Sequence, residues 1–238
     1  MKNLFIYTNP EKKFSEETDD LIKIQIDNSL DLGWKREDIL LFTNFDYGYN
    51  GVGSIEIPLL GHGWDRTNKL PAIVYLYDNR LIDNGLHWYH DLDAYQNELL
   101  GELPDNRLLL TGYGYKAQIN AGSFFFRDAR DIISYWNKRA SQIVRTRSDE
   151  KTMTDMIRNG EMTDYEELNI TYNFGQRCPK LCYEKADKPL RVLHFHPYYR
   201  FYPKDDTNIN VFMHGHNKHK IPMMNERLIK IFQDHNVT

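Results

Sequence analysis

Two short apolar runs near the N-terminus predict buried strands. Residues 4–7 and 39–42 are apolar at nearly every position, which is typical of strands in a sheet that is covered on both faces. Between these runs, aliphatic side chains recur at every fourth position and predict the buried face of a helix. These side chains are Ile22, Ile26 and Leu30. We expect the helix to begin after Ser15, which can cap it, and to end at Gly33.

The rest of the chain continues to alternate between strand and helix patterns. The predicted strands comprise residues 86–90, 107–110, 119–126, 168–172 and 191–196. The predicted helices comprise residues 68–77, 128–144, 149–158 and 225–232. Residues 47–63 contain five glycines and are predicted as a loop, with a flap over a ligand as one possible role. This order of elements predicts an α/β fold, with a mainly parallel central sheet and helices on both faces.

Composition and charge narrow the class of protein. The 238 residues include 30 Lys and Arg against 34 Asp and Glu, a net charge of −4. A chain with this balance has no general attraction to nucleic acid, so we expect no nucleic-acid partner. No apolar run approaches the roughly 20 residues that span a bilayer, and the N-terminus has no secretory apolar segment. With only two cysteines, Cys178 and Cys182, we expect a cytoplasmic protein that has no membrane span.

The pair Asp91 and Asp93 is the sharpest local feature of the sequence. Both residues follow the predicted strand 86–90, where side chains two positions apart project to the same side and Leu92 projects to the other. Two carboxylates this close repel each other unless water or a cation neutralises them, and Mn²⁺ and Mg²⁺ prefer oxygen ligands. Ligands of open α/β sheets bind at the carboxyl ends of strands. The alternative interpretation is that the pair merely caps a helix that begins near Ala94.

The order of motifs resembles that of GT-A-fold, nucleotide-sugar-dependent glycosyltransferases, and in particular of glycogenin-like enzymes. Asp91-Leu92-Asp93 matches the DxD motif of that family, at about its usual distance from the N-terminus. Four further segments are similar to family motifs: the first strand with its loop, the Asn-x-Gly strand beside the sugar site, an acidic pair that opens a helix, and a late His-Phe strand. In this sequence they are residues 4–9, 119–125, 148–150 and 192–196.

The resemblance implies a single GT-A-like domain spanning residues 1–238, with a nucleotide-binding half (1–110) and an acceptor and metal-completing half (111–238). It implies a hexosyltransferase-type enzyme that moves a sugar from a nucleoside diphosphate sugar, with a UDP-sugar favoured, to a carbohydrate or other hydroxyl acceptor. It implies a Mn²⁺ or Mg²⁺ ion held by Asp91, Asp93 and His194, with His196 as the alternative histidine.

Site residues follow from the same resemblance. Asp149 and Glu150 are the candidate catalytic residues, with helix capping as the alternative or additional role of this pair. The implied donor-binding residues are Tyr7, Thr8, Asn9, Lys69, Asp91, Leu92, Asp93, Asn120 and Gly122. For Lys69, which lies at the start of a predicted helix, a solvated surface position is the other interpretation.

The sequence departs from the glycogenin-like pattern after the His-Phe pair. That pattern continues to a Gly and to a Lys that contacts the diphosphate, whereas Pro197 follows His196 here. Arg200 or Lys204 would have to substitute, and His214 begins a second segment that contains His, Gly and Lys. Two other classes of function stay open: a nucleotidyltransferase or metal-dependent phosphohydrolase on a similar sheet, and a non-catalytic sugar- or nucleotide-binding module.

Overall fold

A computed structural model describes residues 1–60, 68–114, 118–142, 148–175, 179–195, 209–214 and 223–237. The strands in this part of the chain are β1 (Lys2–Tyr7), β2 (Ile39–Thr43), β3 (Gly48–Tyr49), β4 (Val52–Glu56), β5 (His87–His90), β6 (Ala94–Gln96), β7 (Leu108–Gly112), β8 (Ile119–Phe126), β9 (Glu166–Leu168) and β10 (Val192–His194). The α-helices are α1 (Glu16–Asp31), α2 (Lys69–Asp78), α3 (Arg130–Gln142), α4 (Asp149–Arg158), α5 (Pro179–Lys185), α6 (Ile209–His214) and α7 (Glu226–Asp234).

Eight of these strands form one sheet in the order β3-β4-β2-β1-β5-β8-β7-β9. The neighbours β4, β2, β1 and β5 are parallel to one another, and β9 is parallel to β7. Strand β8 is antiparallel to both of its neighbours, β5 and β7, and β3 is antiparallel to β4. Six strands therefore run in one direction, and the predicted mainly parallel α/β sheet is confirmed.

Helices cover both faces of the sheet because the central strands carry apolar side chains on both faces. Leu4 of β1 packs in a cluster with α2, α3 and α4, whereas its neighbour Phe5 packs in another with Ile22 and Ile26 of α1. Both strand residues are fully buried, as alternation along a doubly covered strand requires. The prediction of helices on both faces is therefore confirmed.

The caps of two helices follow the sequence signals. The Ser15 hydroxyl accepts a hydrogen bond from the backbone N–H of Thr18, at 3.1 Å, at the start of α1. The Ser148 hydroxyl likewise accepts one from the N–H of Lys151, at 3.2 Å, at the start of α4. Each hydroxyl satisfies one of the N–H groups that the first helical turn leaves without a partner. No helix in the described part of the chain is long and apolar enough to cross a membrane.

The alternative interpretation of the Asp pair, as the cap of a helix that begins near Ala94, is wrong. Ala94 begins β6, which pairs antiparallel with β10 in a separate two-stranded sheet. The carbonyl oxygen of Ala94 accepts a hydrogen bond from the side chain of Gln25 on α1. Contacts from segments distant in the sequence therefore give this short stretch its extended conformation, which overrides the local capping signal.

The predicted loop at residues 47–63 is partly wrong, since it contains the hairpin β3–β4. The turn residues Asn50 and Gly51 both have positive φ, 49° and 78°, as the type I′ turn of a two-residue hairpin requires. The Asn-Gly pair was the signal for this turn. Strand β4 then joins the main sheet beside β2, while residues 61–63 lie outside the described residues.

The predicted strand 168–172 is also partly wrong. Strand β9 ends at Leu168, and Ile170–Tyr172 forms a 3₁₀ turn in which the side chain of Asn169 accepts a hydrogen bond from the N–H of Thr171. The two short helices α5 and α6 were not predicted. The division of the domain into halves at residue 110 stays a prediction.

Candidate metal and donor-binding site

The carboxylates of Asp91 and Asp93 lie in a tight loop that leaves the carboxyl end of β5. The N–H of Asp91 donates to the carbonyl of Gly122 on the neighbouring strand β8, at 2.8 Å, and the N–H of Ala94 donates back to the carbonyl of Asp91, at 3.0 Å. Leu92, between the two carboxylates, packs with the apolar cluster beneath α1. The predicted separation of the two Asp side chains from Leu92 is therefore observed.

Helix α1 contacts this loop through the buried side-chain amide of Gln25. The side chain of Gln25 donates to the carbonyls of Leu92, at 3.0 Å, and Ala94, at 2.8 Å, on either side of Asp93. Gln25 is almost fully buried, so both hydrogen bonds are shielded from competing water. A single side chain thus fixes the backbone at both neighbours of Asp93.

A buried histidine supports the other end of the loop. The ring nitrogens of His90 lie 3.1 Å from the carbonyl oxygen of Asp91 and 2.9 Å from Oδ1 of Asn3 on β1. Burial lowers the pKa of His90 to about 3, because its charged form has lost its hydration. His90 is therefore neutral at physiological pH, and both of its ring nitrogens already contact oxygen atoms of the protein.

His194 completes a group of three possible metal ligands. Its strand β10 pairs with β6 so that His194 is opposite Ala94, and the N–H of Phe195 donates to the carbonyl of Asp93, at 3.0 Å. The ring atom Nε2 lies 3.2 Å from Oδ1 of Asp93. Ligand atoms of Asp91, Asp93 and His194 all lie within 4.8 Å of one another. The three residues named from the sequence are therefore brought together.

A glycine on β8 leaves the space that the imidazole of His194 occupies. A Cβ atom at Gly122 would lie 2.2 Å from Cε1 and 2.6 Å from Nδ1 of that ring, far inside van der Waals contact. Any other residue at this position would displace the histidine from Asp93. Gly122 was predicted as a donor-binding residue, and the structure places it against the histidine of the ligand group.

Lys69 is a buried cation rather than a solvated surface residue. Its ammonium group lies 2.9 and 3.2 Å from the two carboxylate oxygens of Asp91 and 2.8 Å from the carbonyl oxygen of Ala121. It also lies 3.4 Å from Oδ2 of Asp149. Burial opposes the charge, but Asp91, Tyr89 and Asp149 outweigh it and raise the pKa of Lys69 well above its usual value. Lys69 therefore stays charged and joins two predicted site residues.

Asp91 has a second donor in addition to Lys69. The hydroxyl of Tyr89, on β5, donates to its Oδ1 at 2.8 Å, so this one oxygen receives two hydrogen bonds. Tyr89 is buried and was not identified from the sequence, where it reads as one more apolar position of the strand. The side chain of Asp91 keeps about a third of its surface exposed.

Asp149 and Glu150 open α4 and face the site from the opposite side. Oδ1 of Asp149 accepts from the N–H of Glu150 at 2.8 Å, and burial raises the pKa of this carboxyl although Lys69 opposes the shift. Oε2 of Glu150 accepts from the hydroxyl of Tyr113 at 2.7 Å, and Oε1 from the N–H of Ala121 at 3.3 Å. The structure therefore shows both the cap of α4 by Ser148 and the proximity of Asp149 and Glu150 to the site.

Asn120, predicted as a donor-binding residue, is fully buried on β8. Its Oδ1 accepts from the N–H of Gly122 at 2.8 Å. Its Nδ2 has no hydrogen-bond partner within the described part of the chain. A buried donor without a partner carries a free-energy cost, and a bound ligand, ion or water that accepts from it would remove that cost.

The predicted nucleotide loop follows β1, the parallel neighbour of β5, so both strands end at the same edge of the sheet. The N–H of Asn9 donates to Oδ1 of Asn44 at 3.0 Å, and Nδ2 of Asn44 donates to the carbonyl of Asn9 at 2.7 Å. The Tyr7 ring lies 4.9 Å from that of Phe14, and Thr8 is half-buried. Contacts with Asn44 and Phe14 therefore hold this loop in place.

Of the other candidate ligands named from the sequence, only His214 lies within the described residues. His196, Arg200 and Lys204 lie outside the described residues. His214 ends α6, is exposed, and is not a member of the three-residue ligand group. Among the histidines that the structure describes, His194 is thus the one that belongs to the ligand group with Asp91 and Asp93.

Comparison with known proteins identifies the fold. No family model matches the sequence, and no curated protein matches it. Among solved structures, the glycosyltransferase GlyE of Streptococcus pneumoniae TIGR4 is similar over 100% of this chain and 61% of its own, with a TM-score of 0.56 and 12% sequence identity. The chain thus spans about three fifths of GlyE.

Two further solved structures are similar over most of both chains. An active-site mutant of LgtC is similar over 98% of this chain and 96% of its own, with a TM-score of 0.54 and 13% identity. A glycosyltransferase involved in the glycosylation of the major capsid of PBCV-1 is similar over 82% of this chain and 94% of its own, with a TM-score of 0.50 and 13% identity. The chain therefore has the GT-A fold of glycosyltransferases, as the sequence motifs predicted.

Proposed function

We propose that this protein is a metal-dependent glycosyltransferase of the hexosyltransferase type. It would move a sugar from a nucleoside diphosphate sugar, with a UDP-sugar favoured, to a hydroxyl of a carbohydrate or other acceptor. The observation that carries the proposal is the group of Asp91, Asp93 and His194 ligand atoms, within 4.8 Å of one another, at the carboxyl edge of a GT-A sheet. Among the similar solved structures is one of the galactosyltransferase LgtC with donor and acceptor sugar analogues.

The ligand group suits Mn²⁺ or Mg²⁺. Two carboxylates and one imidazole match the oxygen and nitrogen preferences of these ions, and Mn²⁺ accepts the imidazole more readily than Mg²⁺. The space at Gly122 that admits the ring of His194 supports this fit. A bound ion would neutralise the negative charge that grows on the leaving diphosphate.

The remaining charged residues supply binding and orientation of the donor sugar. Lys69 holds Asp91 and Asp149 in place and carries a permanent positive charge beside them. Carboxylate oxygens accept hydrogen bonds from sugar hydroxyls, so Asp91 and Asp149 are the proposed sugar contacts. Burial of Asp149 keeps water from competing for its hydrogen bonds.

Glu150 and Asp149 are the proposed catalytic carboxylates. Glu150 is fixed by Tyr113 and the backbone of Ala121, an arrangement that orients its carboxylate without neutralising it. A carboxylate in this position can accept the proton of an acceptor hydroxyl or stabilise positive charge on the sugar ring. Asn120 and Gly122, and Tyr7, Thr8 and Asn9 at the neighbouring strand end, are the other proposed donor contacts.

An activity panel tests the proposal. The protein is incubated with UDP-, GDP-, CDP- and dTDP-sugars and Mn²⁺, with and without simple sugar acceptors, and the release of nucleoside diphosphate is measured. We expect release from one class of donor, and loss of release in Asp93→Asn. Release of pyrophosphate from a nucleoside triphosphate and a sugar phosphate would instead identify a nucleotidyltransferase. Metal-dependent binding with no turnover would identify a binding module.

A further inference from the structure

Asn173 is a fully buried amide that no sequence motif singled out. It follows the 3₁₀ turn Ile170–Tyr172, and its N–H donates to the carbonyl of Ile170 at 2.9 Å. The next residues run alongside β10, since the N–H of Phe174 donates to Val192 and the N–H of His194 donates to Phe174. Asn173 is therefore held by backbone contacts beside the candidate histidine ligand.

A close backbone approach keeps this segment in place. At Gly175 a Cβ atom would lie 1.9 Å from the carbonyl oxygen of His194, so only glycine allows the two backbones to lie this close. Gly175 also has a φ of +146°, which other residues rarely adopt. The spacing between Asn173 and His194 is thus set by the fold rather than by their side chains.

The amide of Asn173 joins the imidazole of His194 to β8. Its Oδ1 lies 3.0 Å from Nδ1 of His194, and its Nδ2 lies 3.5 Å from the carbonyl oxygen of Asn120. Since Oδ1 can only accept a hydrogen bond, Nδ1 must carry the proton. The other ring nitrogen, Nε2, is then the one that faces Asp93, at 3.2 Å.

We propose that Asn173 is a positioning residue that keeps a proton on Nδ1 of His194 and so presents the lone pair of Nε2 to a metal ion beside Asp93. The part that concerns the ion rests on the proposed function. A neutral imidazole binds a metal through one nitrogen only while the other nitrogen carries the proton. The partner of the second nitrogen selects the tautomer and fixes the orientation of the ring.

Without Asn173, Asp93 itself would select the wrong tautomer. Its carboxylate can accept a hydrogen bond from a protonated Nε2, and this bond would hide the lone pair from an ion. Asn173 therefore acts against the neighbouring carboxylate. With a proton held on Nδ1, a cation that displaces the contact between Asp93 and His194 finds the lone pair of Nε2 available.

The first experiment reads the proton directly, without a metal or a substrate. Protein labelled with ¹⁵N-histidine is examined at pH 9 by long-range ¹H–¹⁵N correlation, and the signals of His194, one of nine histidines, are assigned with His194→Gln. We expect the shift of a protonated Nδ1 in the natural protein and in Asn173→Asp, which keeps the acceptor. In Asn173→Leu we expect Nδ1 to lose its proton and Nε2 to gain it.

The second experiment measures Mn²⁺ affinity from the signal of free Mn²⁺ in electron paramagnetic resonance, with Mn²⁺ alone and with UDP. Loss of an outer partner of a ligating histidine weakens metal binding by about 10- to 100-fold. We expect this loss in Asn173→Leu, and in Asn173→Ala if the leucine variant fails to fold. We expect Asn173→Asp to bind Mn²⁺ within a few-fold of the natural protein.

A matched control is Asn28→Leu on α1. Asn28 is equally buried and makes comparable hydrogen bonds, to Gln96 and Arg227, but does not contact His194. We expect destabilisation in this variant, with the His194 proton and the Mn²⁺ affinity unchanged.

The proposal is overturned if Nδ1 keeps its proton in Asn173→Leu, or if Nε2 carries the proton in the natural protein. Unchanged Mn²⁺ affinity in the leucine and alanine variants would overturn the role in metal binding. A natural protein that binds no Mn²⁺, with or without UDP, contradicts the proposed function. In that case the nitrogen shifts still decide whether Asn173 sets the tautomer.

Discussion

The site has two sides, and each contains one aspartate of the DxD pair in a different environment. On the ammonium side, defined by Lys69, Tyr89, Asp91 and Asp149, the carboxylate of Asp91 already has a cation and a hydroxyl as partners. On the metal side, defined by Asp93, His194 and Asn173, the partner of the carboxylate is an imidazole oriented by an amide.

The two aspartates of a DxD pair therefore need not be equivalent ligands. Asp91 is tied to the fold through a partly buried ion pair with Lys69. Asp93 instead contacts His194, on a strand from the C-terminal part of the chain. Substitution of Lys69 should therefore change mainly the free energy of unfolding. Substitutions on the metal side should change mainly ion binding.

The largest expected effect on stability is that of Lys69→Met. This change leaves the buried carboxylate of Asp149 and the partly exposed carboxylate of Asp91 without their cation, and loss of one partner of a buried ion pair costs about 3–5 kcal/mol. Urea denaturation at pH 7 measures the loss. In Lys69→Met/Asp91→Asn we expect part of it to be recovered, because one uncompensated charge is gone. A loss under about 1 kcal/mol in the single variant would show that the ammonium side does not hold the fold.

The next largest effect is expected for Gln25→Leu. The substitution removes the donor that the carbonyls of Leu92 and Ala94 share, and buried polar groups without partners cost about 1–3 kcal/mol. We expect a lower denaturation midpoint with an unchanged slope. Because these carbonyls flank Asp93, Mn²⁺ affinity should also fall. Unchanged affinity in this variant would show that the hydrogen bonds of Gln25 do not contribute to metal binding.

A smaller effect is expected from pH through His90. Its pKa is lowered to about 3 by burial, so the unfolded chain takes up the proton first as pH falls below about 6.5. Stability is therefore complete above this range and decreases below it, by about 1.4 kcal/mol per pH unit at most. Denaturation curves between pH 7 and 5 measure the slope. In His90→Gln the slope should decrease, and an identical slope would contradict the assignment.

The smallest effect on stability is expected for Asp93→Ala. Its carboxylate is partly exposed and is paired with a histidine, so we expect a loss of about 1 kcal/mol or less. Metal-dependent nucleotide binding should nevertheless be abolished. Parallel denaturation and titration of this variant and Lys69→Met would show whether the two sides separate as described. Full binding in Asp93→Ala would remove Asp93 from the ligand group.

Local signals were sufficient for the parts of the fold that depend on neighbouring residues. The apolar runs of β1 and β2, and the serine caps of α1 and α4, act within a few positions and predicted these elements. Strand β6 could not be predicted in this way, because its conformation depends on β10 and on Gln25. The hairpin at Asn50 and Gly51 was predictable from its turn residues but was missed.

The residues of the site likewise include some that local motifs predicted and others that depend on contacts between distant segments. Asp91, Asp93 and His194 belong to short motifs, and the structure brings them together as predicted. Gln25, Tyr89 and Asn173 act through contacts with residues distant in the sequence, and an isolated Gln, Tyr or Asn carries no local pattern. The fold therefore supplies the supporting contacts that motifs do not encode.

The most direct test of the central claim is calorimetric titration of the purified protein with UDP, GDP, CDP and dTDP, each in Mn²⁺ and in EDTA. A functional site at Asp91, Asp93 and His194 predicts tight binding of one nucleotide, expected to be UDP, in Mn²⁺ and its loss in EDTA. Absence of metal-dependent binding to all four nucleotides would contradict the account and leave these residues as structural parts of a GT-A fold.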